Sequence, residues 1–561
     1  MRLILQPKST KKAATTYAKL LEGVIRTRLL FLFRILIIIS LVALLVSSSV
    51  SLALLLVGSV VSIYRTSSIR SVPILGPSTV QTIARRLAPS RVLQCFVAML
   101  VSAIFYYFTF MRPNQDLFIV KAVGGLEQPS TGLNKALSHG LLSISLVFLN
   151  ENVTYNIYFA ICIAGLYALN HMWINGNTFV LRYNDLTPAK ALTADIPKLA
   201  HDTKWLLVKI YIVVPISYFV LRPLVLIPFY SAALLIPGYR VSNTTFPSLT
   251  GMIFWYPLGW GLLLILWQLS NHAFNAYVMR GPQHAGKTIS QRSQDPNGSL
   301  LTGLNSKRET ITHMEAWLEL SLIAEYNQAR RVEMFTDVGS TEPVWKQVFE
   351  SYSLLIGETK ATLDEFITKP EPPVSEEKTL TRGVPDKRTI QILHKQVLAA
   401  PKSGDSLVMR LQRKTNSANA WRKAASYIND QLETLQSSIL DSRYGEPFKS
   451  SVSKQIAMEI SDIKVVEYAI RGVSFLVVNS HDEDSMGYVQ SDIGKTLSEL
   501  DALLHLIDSV HRDRGVKLEA LEKASVEAFD RICARFKPYF EHLDLSTSVL
   551  TRSESITNQE A

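Results

Sequence analysis

Cysteine is rare in this chain of 561 residues, which contains only three. Cys95 and Cys162 lie in apolar runs and Cys533 lies in a helical pattern, so the sequence has neither a zinc-ligand spacing nor a disulfide framework. No Ser-His-Asp or Cys-His arrangement has the context of a nucleophilic site. We therefore predict a protein that is not an enzyme and that uses no metal and no cofactor.

Acidic residues are scarce in the first 270 residues, where 7 of them stand against 23 lysines and arginines. The remaining 291 residues carry 35 basic and 40 acidic side chains. Long apolar runs occupy the basic half, so its charge is typical of loops that flank membrane spans rather than of a nucleic-acid surface. The sequence predicts a membrane anchor joined to a soluble domain, with the lipid bilayer as a partner and no nucleic acid.

Five apolar runs are long enough to cross a bilayer, which takes about 20 residues, and the first is long enough to cross it twice. We place the spans at about residues 29–46, 47–64, 92–111, 155–174, 205–225 and 251–270. The first apolar run, residues 29–64, is too long for one untilted helix, so we divide it at a serine-rich hinge near residues 47–51. Residues 1–28 and 65–91 are basic, which predicts that both termini lie on the cytosolic side.

These six predicted spans contain no Asp or Glu, whereas ion and proton pathways need intramembrane carboxylates or charge pairs. This absence disfavours transport. A polytopic membrane transporter or channel with a cytosolic regulatory domain is kept as the alternative function.

Two apolar stretches, residues 133–149 and 222–237, do not fit the pattern of full spans. The first is short and contains Lys135 and His139, and the second is interrupted by prolines. We predict that both are interfacial or re-entrant segments.

The loops at residues 112–154 and 226–250 are nearly neutral and are predicted to be lumenal. Asn243 begins a glycosylation sequon in the second loop and is a candidate for lumenal glycosylation. The aromatic residues of the last span are predicted to form an interfacial belt, namely Trp255, Tyr256, Trp260 and Trp267.

Two short motifs suggest chemistry that their context does not support. Residues 281–288 match the phosphate-binding loop letter for letter, but that loop needs a strand before it and a helix after it, and neither is predicted here. The acidic residues 482–484 follow His481 and precede a helical run. Helix capping and a solvated turn explain them better than a metal site.

The rest of the chain has helical apolar spacing and almost no alternating strand pattern, which predicts an all-α fold. We divide it into a polar linker at 271–309, a helical segment at 310–366, a Pro-rich linker at 367–389, a helical C-terminal domain at 390–545 and a disordered tail at 546–561.

Two stretches of this half resemble the transmembrane nucleoporins of the nuclear-division-cycle family. The first is AWLELSLIAEYNQARRVEMFTDVGSTEPVWKQVFE, residues 316–350, which is similar to the family's helix after the last span, its paired arginine and a tryptophan that opens the next helix. The second is AIRGVSFLVVNSHDEDSMGYVQSDIGKTLSELDALL, residues 469–504, with an acidic pair before a Gly-Tyr-Val-Gln core and Asp-Ile. The positions that carry the resemblance are Trp317, Glu319, Leu320, Arg330, Arg331, Phe335, Trp345, Glu483, Asp484, Gly487, Val489, Gln490, Asp492 and Ile493.

The resemblance leaves open whether these positions serve packing or partner contact. We expect Arg330 and Arg331 to bind either carboxylates or helix carbonyls, and Gly487 to lie at a helix boundary. The serine-rich hinge of this chain is shorter than the lumenal loop that joins the first two spans in the family.

The resemblance implies a pore-membrane nucleoporin that anchors the nuclear pore complex in the nuclear envelope and supports pore assembly. Its implied partners are membrane-proximal scaffold nucleoporins and other pore membrane proteins. In fungi it also implies a role in inserting the spindle pole body, with spindle pole body components as further partners.

Overall fold

The computed structural model of the chain describes residues 15–70, 72–111, 120–122, 145–178, 188–234, 239–245, 249–306, 310–337, 342–368, 452–460, 463–543 and 545–560. Helices dominate these residues, and the predicted all-α fold is confirmed. The helices predicted between 390 and 440, and nearly all of the predicted Pro-rich linker, lie outside the described residues.

The described residues of the first half of the chain form a bundle of long apolar helices with two short helices between them. They are α1 (Tyr17–Leu44), α2 (Ser48–Ser68), α3 (Thr79–Arg86), α4 (Pro89–Tyr106, extended by a π turn to Met111), α5 (Glu151–Trp173), α6 (Pro188–Ala194), α7 (Ile196–Leu234) and α8 (Tyr256–Tyr277, preceded by a π turn from Gly251). Among the described residues six helices are long and apolar enough to cross a membrane, namely α1, α2, α4, α5, α7 and α8. The predicted number of spans is confirmed.

The first two spans are separated by only three residues, Leu45 to Ser47. Ser47 has an extended backbone (φ −163°), which ends one helix and starts the next. The helices α1 and α2 pack against each other, and a Cβ added to Gly58 would lie 2.7 Å from a Leu36 methyl group. Glycine at this position therefore lets the two spans approach closely.

For residues 222–237 the re-entrant alternative is wrong, because α7 continues without interruption to Leu234, whereas an interfacial position of this helix end stays a prediction. Pro215, Pro223 and Pro228 all lie inside this helix of 39 residues. Prolines are tolerated in membrane helices when neighbouring groups satisfy the freed carbonyls. At 1.5 Å per residue the helix is about 58 Å long, so it extends beyond a hydrocarbon core of about 30 Å.

A small sheet joins the two loops predicted to be lumenal. Strand β1 (Val120–Ala122) pairs antiparallel with β2 (Ser145–Asn150), and β2 pairs parallel with β3 (Tyr239–Thr245). Asn243 lies in β3, and the last residues of the apolar stretch 133–149 lie in β2, whereas residues 133–144 are outside the described residues. Strand β3 comes shortly before α8, and the other end of α8 leads into the soluble half, so the sheet lies at the bundle end remote from the soluble half.

The predicted aromatic belt is wrong for three of its four residues. Trp260 and Trp267 are 0% exposed and Tyr256 is buried, and of the four only Trp255 is exposed. The two buried indoles point into the bundle because each N–H has a partner there. The Trp260 indole donates to Asn156 Oδ1 (3.1 Å), and the Trp267 indole donates to Ser102 Oγ (2.7 Å). These hydrogen bonds tie α8 to α5 and α4.

The bundle also contains an ion pair that the predicted span limits missed. Helix α5 begins at Glu151, four residues before the predicted span, because the Asn150 side chain caps its first turn. The carboxylate of Glu151 is fully buried and accepts hydrogen bonds from both Nη2 (2.5 Å) and Nε (3.2 Å) of Arg222 in α7. The predicted span 155–174 contains no acidic residue, but the helix that includes it begins at Glu151 and so carries one.

The second half of the chain forms a helical domain. Its elements are the hairpin β4 (Gln283–His284) and β5 (Lys287–Thr288), α9 (Pro296–Leu304), α10 (Thr310–Tyr326), α11 (Gln328–Thr336), α12 (Val344–Thr368), α13 (Val452–Glu459), α14 (Ile463–Glu483), α15 (Ile493–Arg514), α16 (Glu519–Phe536) and α17 (Thr547–Glu560). The most extensive contact in this domain joins α10 to α14, and α16 packs on α14 from another side.

The predicted polar linker at 271–309 is wrong, because this segment contains the end of α8, the hairpin and α9. The Asp295 carboxylate accepts from the Gly298 N–H (2.9 Å), and Pro296 occupies the first turn, so α9 has a strong start. Leu300, Leu301 and Leu304 then bury its apolar face in the core. The serines and glycines of this segment have low helix propensity, so the sequence pattern did not predict a helix that tertiary packing stabilises.

The predicted disordered tail at 546–561 is also wrong, since α17 covers nearly all of it. Val549 is buried against the core, and the Arg552 guanidinium contacts Asp501 of α15 (2.6 Å). These two contacts explain why a polar sequence forms an ordered helix here.

Candidate functional site

The two family-like stretches meet in space through a buried ion pair. Arg331 of α11 donates from Nε (2.9 Å) and Nη2 (2.7 Å) to the two carboxylate oxygens of Glu483 at the end of α14. Both side chains are only 8% exposed. The Nη1 of Arg331 also donates to the Ala324 carbonyl (3.0 Å) in the last turn of α10, where a helix leaves carbonyls without intrahelical donors. Arg331 therefore connects α11, to which it belongs, with both α10 and α14.

The turn after α14 is built by Asp484 and Gly487. The Asp484 carboxylate accepts from the backbone N–H groups of Met486 (3.1 Å), Gly487 (3.0 Å) and Val489 (2.8 Å). Gly487 has φ +69°, a left-handed conformation that costs little only for glycine. The acidic cluster thus splits into two roles, an ion pair for Glu483 and a turn for Asp484.

The second motif continues into a contact with α12. The Trp345 indole donates to Asp492 Oδ2 (3.0 Å) in the interior, and Lys495 donates to Asp492 Oδ1 (2.9 Å). A Cβ added to Gly472 would lie 3.3 Å from the Ser321 backbone, so α14 and α10 cross at close range.

Most other motif side chains are also interior. The buried ones are Trp317, Leu320, Phe335, Val489 and Ile493, whereas Gln490 is exposed. Arg330 is buried too and forms an ion pair with Glu333 (2.6 Å). This placement favours packing over partner contact for nearly all of the motif positions.

The remaining motif residue, Glu319, lies at the junction between the membrane bundle and the helical domain. Its carboxylate accepts from the hydroxyl of Tyr17 (2.8 Å) at the start of α1 and from the Ser290 N–H (3.0 Å) after the hairpin. The Tyr17 N–H in turn donates to Thr302 Oγ1 of α9 (2.9 Å). A Cβ added to Gly303 would lie 2.8 Å from the Tyr17 ring, so glycine is needed where these helices meet.

Helix α1 belongs to both halves of the molecule. Its first turns bury Tyr17, Leu21 and Val24 in the core that also contains Trp317, whereas residues 37–39 further along the same helix are exposed apolar residues of a membrane span. The basic N-terminal segment predicted at 1–28 therefore includes, from Tyr17 onward, a helix docked into the soluble half. The apolar spacing of Tyr17, Leu21 and Val24 was the available signal for this helix.

Arg28 closes the junction from the other side. Its guanidinium is buried and donates to the carbonyl oxygens of four residues, Val278 (3.2 Å), Arg280 (2.7 Å), Gly281 (2.8 Å) and Gln283 (2.8 Å). These carbonyls belong to the end of α8 and the entrance of the hairpin, where the helix itself supplies no donors.

This hairpin contains the sequence that matches the phosphate loop. Strands β4 and β5 are joined by Ala285 (φ 53°) and Gly286 (φ 75°), a two-residue turn with both φ values positive. A 3-10 turn, not a long helix, follows at Ser290. The geometry of a phosphate-binding loop is not formed, in agreement with the sequence context.

Two buried glutamates give the junction unusual electrostatics. Burial raises the pKa of Glu315 to about 8, and it also raises the pKa of Glu319, against which the hydrogen bonds from Ser290 and Tyr17 act. One carboxyl oxygen of Glu315 is buried without a hydrogen-bond partner among the described residues. In the sequence, the signal for this pair of buried carboxyl groups was that Glu315 and Glu319 are four residues apart and so lie on the same face of an apolar helix.

The family model described as Nucleoporin protein Ndc1-Nup matches residues 23–554. The chain belongs to this family. The Ndc1-Nup match begins in α1 and ends in α17, so it covers both the membrane bundle and the helical domain.

Two curated relatives agree with this membership. The chain is 23% identical over 357 residues to Nucleoporin NDC1 of Chaetomium thermophilum, covering 53% of this chain and 55% of that protein. It is 30% identical over 88 residues to Nuclear envelope protein ndc1 of Schizosaccharomyces pombe, covering 16% of this chain and 15% of that protein. The chain thus aligns with about half the length of the first relative and with a smaller part of the second.

Ndc1-Nup membership and the six candidate spans support a nuclear pore membrane nucleoporin located in the nuclear envelope. The family is a structural component of the pore, which confirms the prediction that the chain is not an enzyme. Of the two functions that the sequence left open, membership favours the nucleoporin over the transporter or channel.

The buried glutamates predict a pH dependence of stability for this Ndc1-Nup chain. Because the folded pKa of Glu315 is about 8 against an ordinary 4.5, its favourable contribution to the free energy of unfolding is full below pH 4.5 and is lost as the pH rises to 8. At 1.36 kcal/mol per pKa unit, the Glu315-dependent loss between pH 6 and pH 8 should be about 2 kcal/mol. Thermal unfolding of the detergent-solubilised wild type and Glu315→Gln across this range measures it.

The matched control is Glu350→Gln, which removes an exposed glutamate from α12. We expect Glu315→Gln to flatten the pH profile and Glu350→Gln to leave it unchanged. Identical pH profiles for wild type and Glu315→Gln would contradict the assignment of a raised pKa to Glu315.

Proposed function

We propose that this chain anchors the nuclear pore complex in the pore membrane and supports pore assembly. The observation that carries the proposal is the continuous helix α1, which is docked in the helical domain at Tyr17 and becomes a membrane span further along. An anchor must hold a bound scaffold at a fixed position relative to the bilayer. A helix shared by both halves, and locked by Arg28 and Glu319, supports that requirement.

The same proposal includes an orientation, with both termini on the cytosolic or pore side. The basic flanks of the spans support it. The sheet with Asn243 would then be lumenal, and glycosidase treatment of cell extracts should increase the mobility of the chain, but not of Asn243→Gln. Protection of a C-terminal tag from protease in sealed envelopes would contradict the orientation.

The partners that we propose are membrane-proximal scaffold nucleoporins and other pore membrane proteins. Because the motif side chains are almost all interior, we assign partner recognition to the exposed surface of the helical domain. The second half of the chain is nearly neutral, whereas the membrane half is strongly basic. A nearly neutral surface suits contacts with proteins better than contacts with anionic lipids.

Imaging and affinity purification of the tagged full-length chain test the proposal together. A punctate nuclear rim with co-purified scaffold nucleoporins is expected, whereas a uniform reticular or plasma-membrane signal would overturn the proposal. In fungal cells, a second pool at the spindle pole body is expected if the chain also helps to insert that structure into the envelope.

A further inference from the structure

A polar cavity opens where three membrane helices end on the side of the helical domain. Its volume is about 120 Å³, and its walls come from the end of α2, the start of α4 and the residues that follow α5. Arg70, Arg91, Gln94 and Thr178 are among the lining residues. The cavity therefore lies at the level where a membrane helix passes from the hydrocarbon core to the headgroup region.

The cavity carries two positive charges without a matching acid. Arg70 is exposed, and its guanidinium makes no hydrogen bond or ion pair in the described part of the chain. Arg91 donates to the carbonyl oxygen of Arg85 (2.6 Å), a neutral acceptor. The segment from residue 65 to residue 91 contains five arginines and no acid. Two like charges in one cavity favour the binding of an anion between them.

Asn177 and Thr178 form a polar part of the cavity wall, and Asn177 is held by hydrogen bonds. Asn177 accepts from Arg65 Nη1 (3.2 Å), contacts the His171 ring (2.8 Å) and donates to the Tyr64 hydroxyl (2.9 Å). The next residue, Thr178, has a buried hydroxyl without a hydrogen-bond partner among the described residues. A donor of this kind is available to an incoming oxygen at no cost in protein contacts.

We propose that this cavity binds the phosphate of an anionic phospholipid. The guanidinium group of arginine matches the geometry of phosphate oxygens. A cavity of about 150 Å³ can hold a benzene ring. A phosphate group is smaller than benzene, so this cavity is large enough for one phosphate group. A lipid is the source that the position favours. An exposed apolar stripe of α4 starts beside the cavity at Leu93 and continues through Val97, Val101 and Ile104, where acyl chains can lie.

Native mass spectrometry of the full-length chain, titrated with phosphatidylserine or with zwitterionic phosphatidylcholine, tests the proposal. The wild type should retain one phosphatidylserine with at least tenfold preference over phosphatidylcholine. The double variant Arg70→Gln, Arg91→Gln should lose this preference, and Arg70→Gln alone should reduce it, since an exposed side chain can be changed without disturbing the fold.

The matched control is Lys19→Gln, Arg26→Gln, which removes two exposed positive charges from α1 on the same side of the bundle. This control should change the preference by less than twofold. An unchanged preference in the arginine double variant, or an equal loss in the control, would overturn the site. Retention of inorganic phosphate by the wild type, with no retention of phosphatidylserine, would overturn the lipid as the ligand. Rim localisation and partner recovery do not enter this measurement, so the proposed function can stand or fall separately.

Discussion

Replacing Arg331 with alanine is expected to lower the free energy of unfolding of the chain by about 3–5 kcal/mol, because the change leaves the carboxylate of Glu483 buried without its partner. The same change removes one of two side-chain donors to the Ala324 carbonyl in the last turn of α10, and the Asn479 amide (3.3 Å) remains as the other. Equilibrium unfolding of the detergent-solubilised chain, followed by circular dichroism, measures the loss. A loss below 1 kcal/mol would mean that the ion pair does not hold α11 to α14.

The chain offers a matched control that joins the same region through a more exposed pair. Arg471 of α14 contacts Glu325 of α10 (2.5 Å), and its side chain is half exposed. Exposed pairs contribute about 0–1 kcal/mol, so Arg471→Ala should be nearly neutral. Replacing both members of the buried pair, as Arg331→Met with Glu483→Leu, should cost less than Arg331→Ala alone because no unpaired charge remains.

The membrane half shows what hydropathy can and cannot predict. Length and apolarity identified the six spans, since these properties follow from bilayer thickness alone. The orientation of aromatic side chains was not accessible in this way. Trp260 and Trp267 look like interfacial residues by composition, but their N–H groups find Asn156 and Ser102 on other helices, and these pairings depend on how the helices pack.

The helical domain shows a related limit. Helical spacing predicted its fold class. It did not predict the short helix α9 or the tail helix α17, because contacts distant in sequence, such as Arg552 with Asp501, stabilise them. The motif positions could be found by resemblance, but their role could not. Motif residues such as Trp345 and Asp492 form a hydrogen bond with each other in the interior.

These placements change where partner recognition should be sought. A motif made of buried side chains maintains the fold of a domain. The exposed side chains on that fold can differ between relatives. The low identity of 23% with the Chaetomium thermophilum nucleoporin is compatible with such a division. Mutational scans for partner binding should therefore target exposed residues of α12, α15 and α16 rather than the motif positions.

Arg28→Ala is expected to uncouple the membrane bundle from the helical domain. The variant leaves four carbonyl oxygens without their charged donor. Hydrogen bonds to charged groups contribute about 1.5–3 kcal/mol each, and because the four share one side chain they do not add fully. A loss of at least about 3 kcal/mol is expected for the local opening of the junction. Hydrogen exchange at the amides of residues 281–290 measures this loss directly.

Arg26→Ala is the control for this prediction, since Arg26 lies on the same helix half a turn away and is exposed. It should leave exchange at residues 281–290 unchanged, and Arg28→Lys should protect them only in part because one ammonium group cannot reach four carbonyls. Equal exchange in all three variants would show that the junction is held by apolar contacts alone. If α1 transmits position from the membrane to the pore scaffold, Arg28→Ala should still reach the nuclear rim yet recover less scaffold nucleoporin than Arg26→Ala does, because the spans are intact while the docking of the helical domain is loosened.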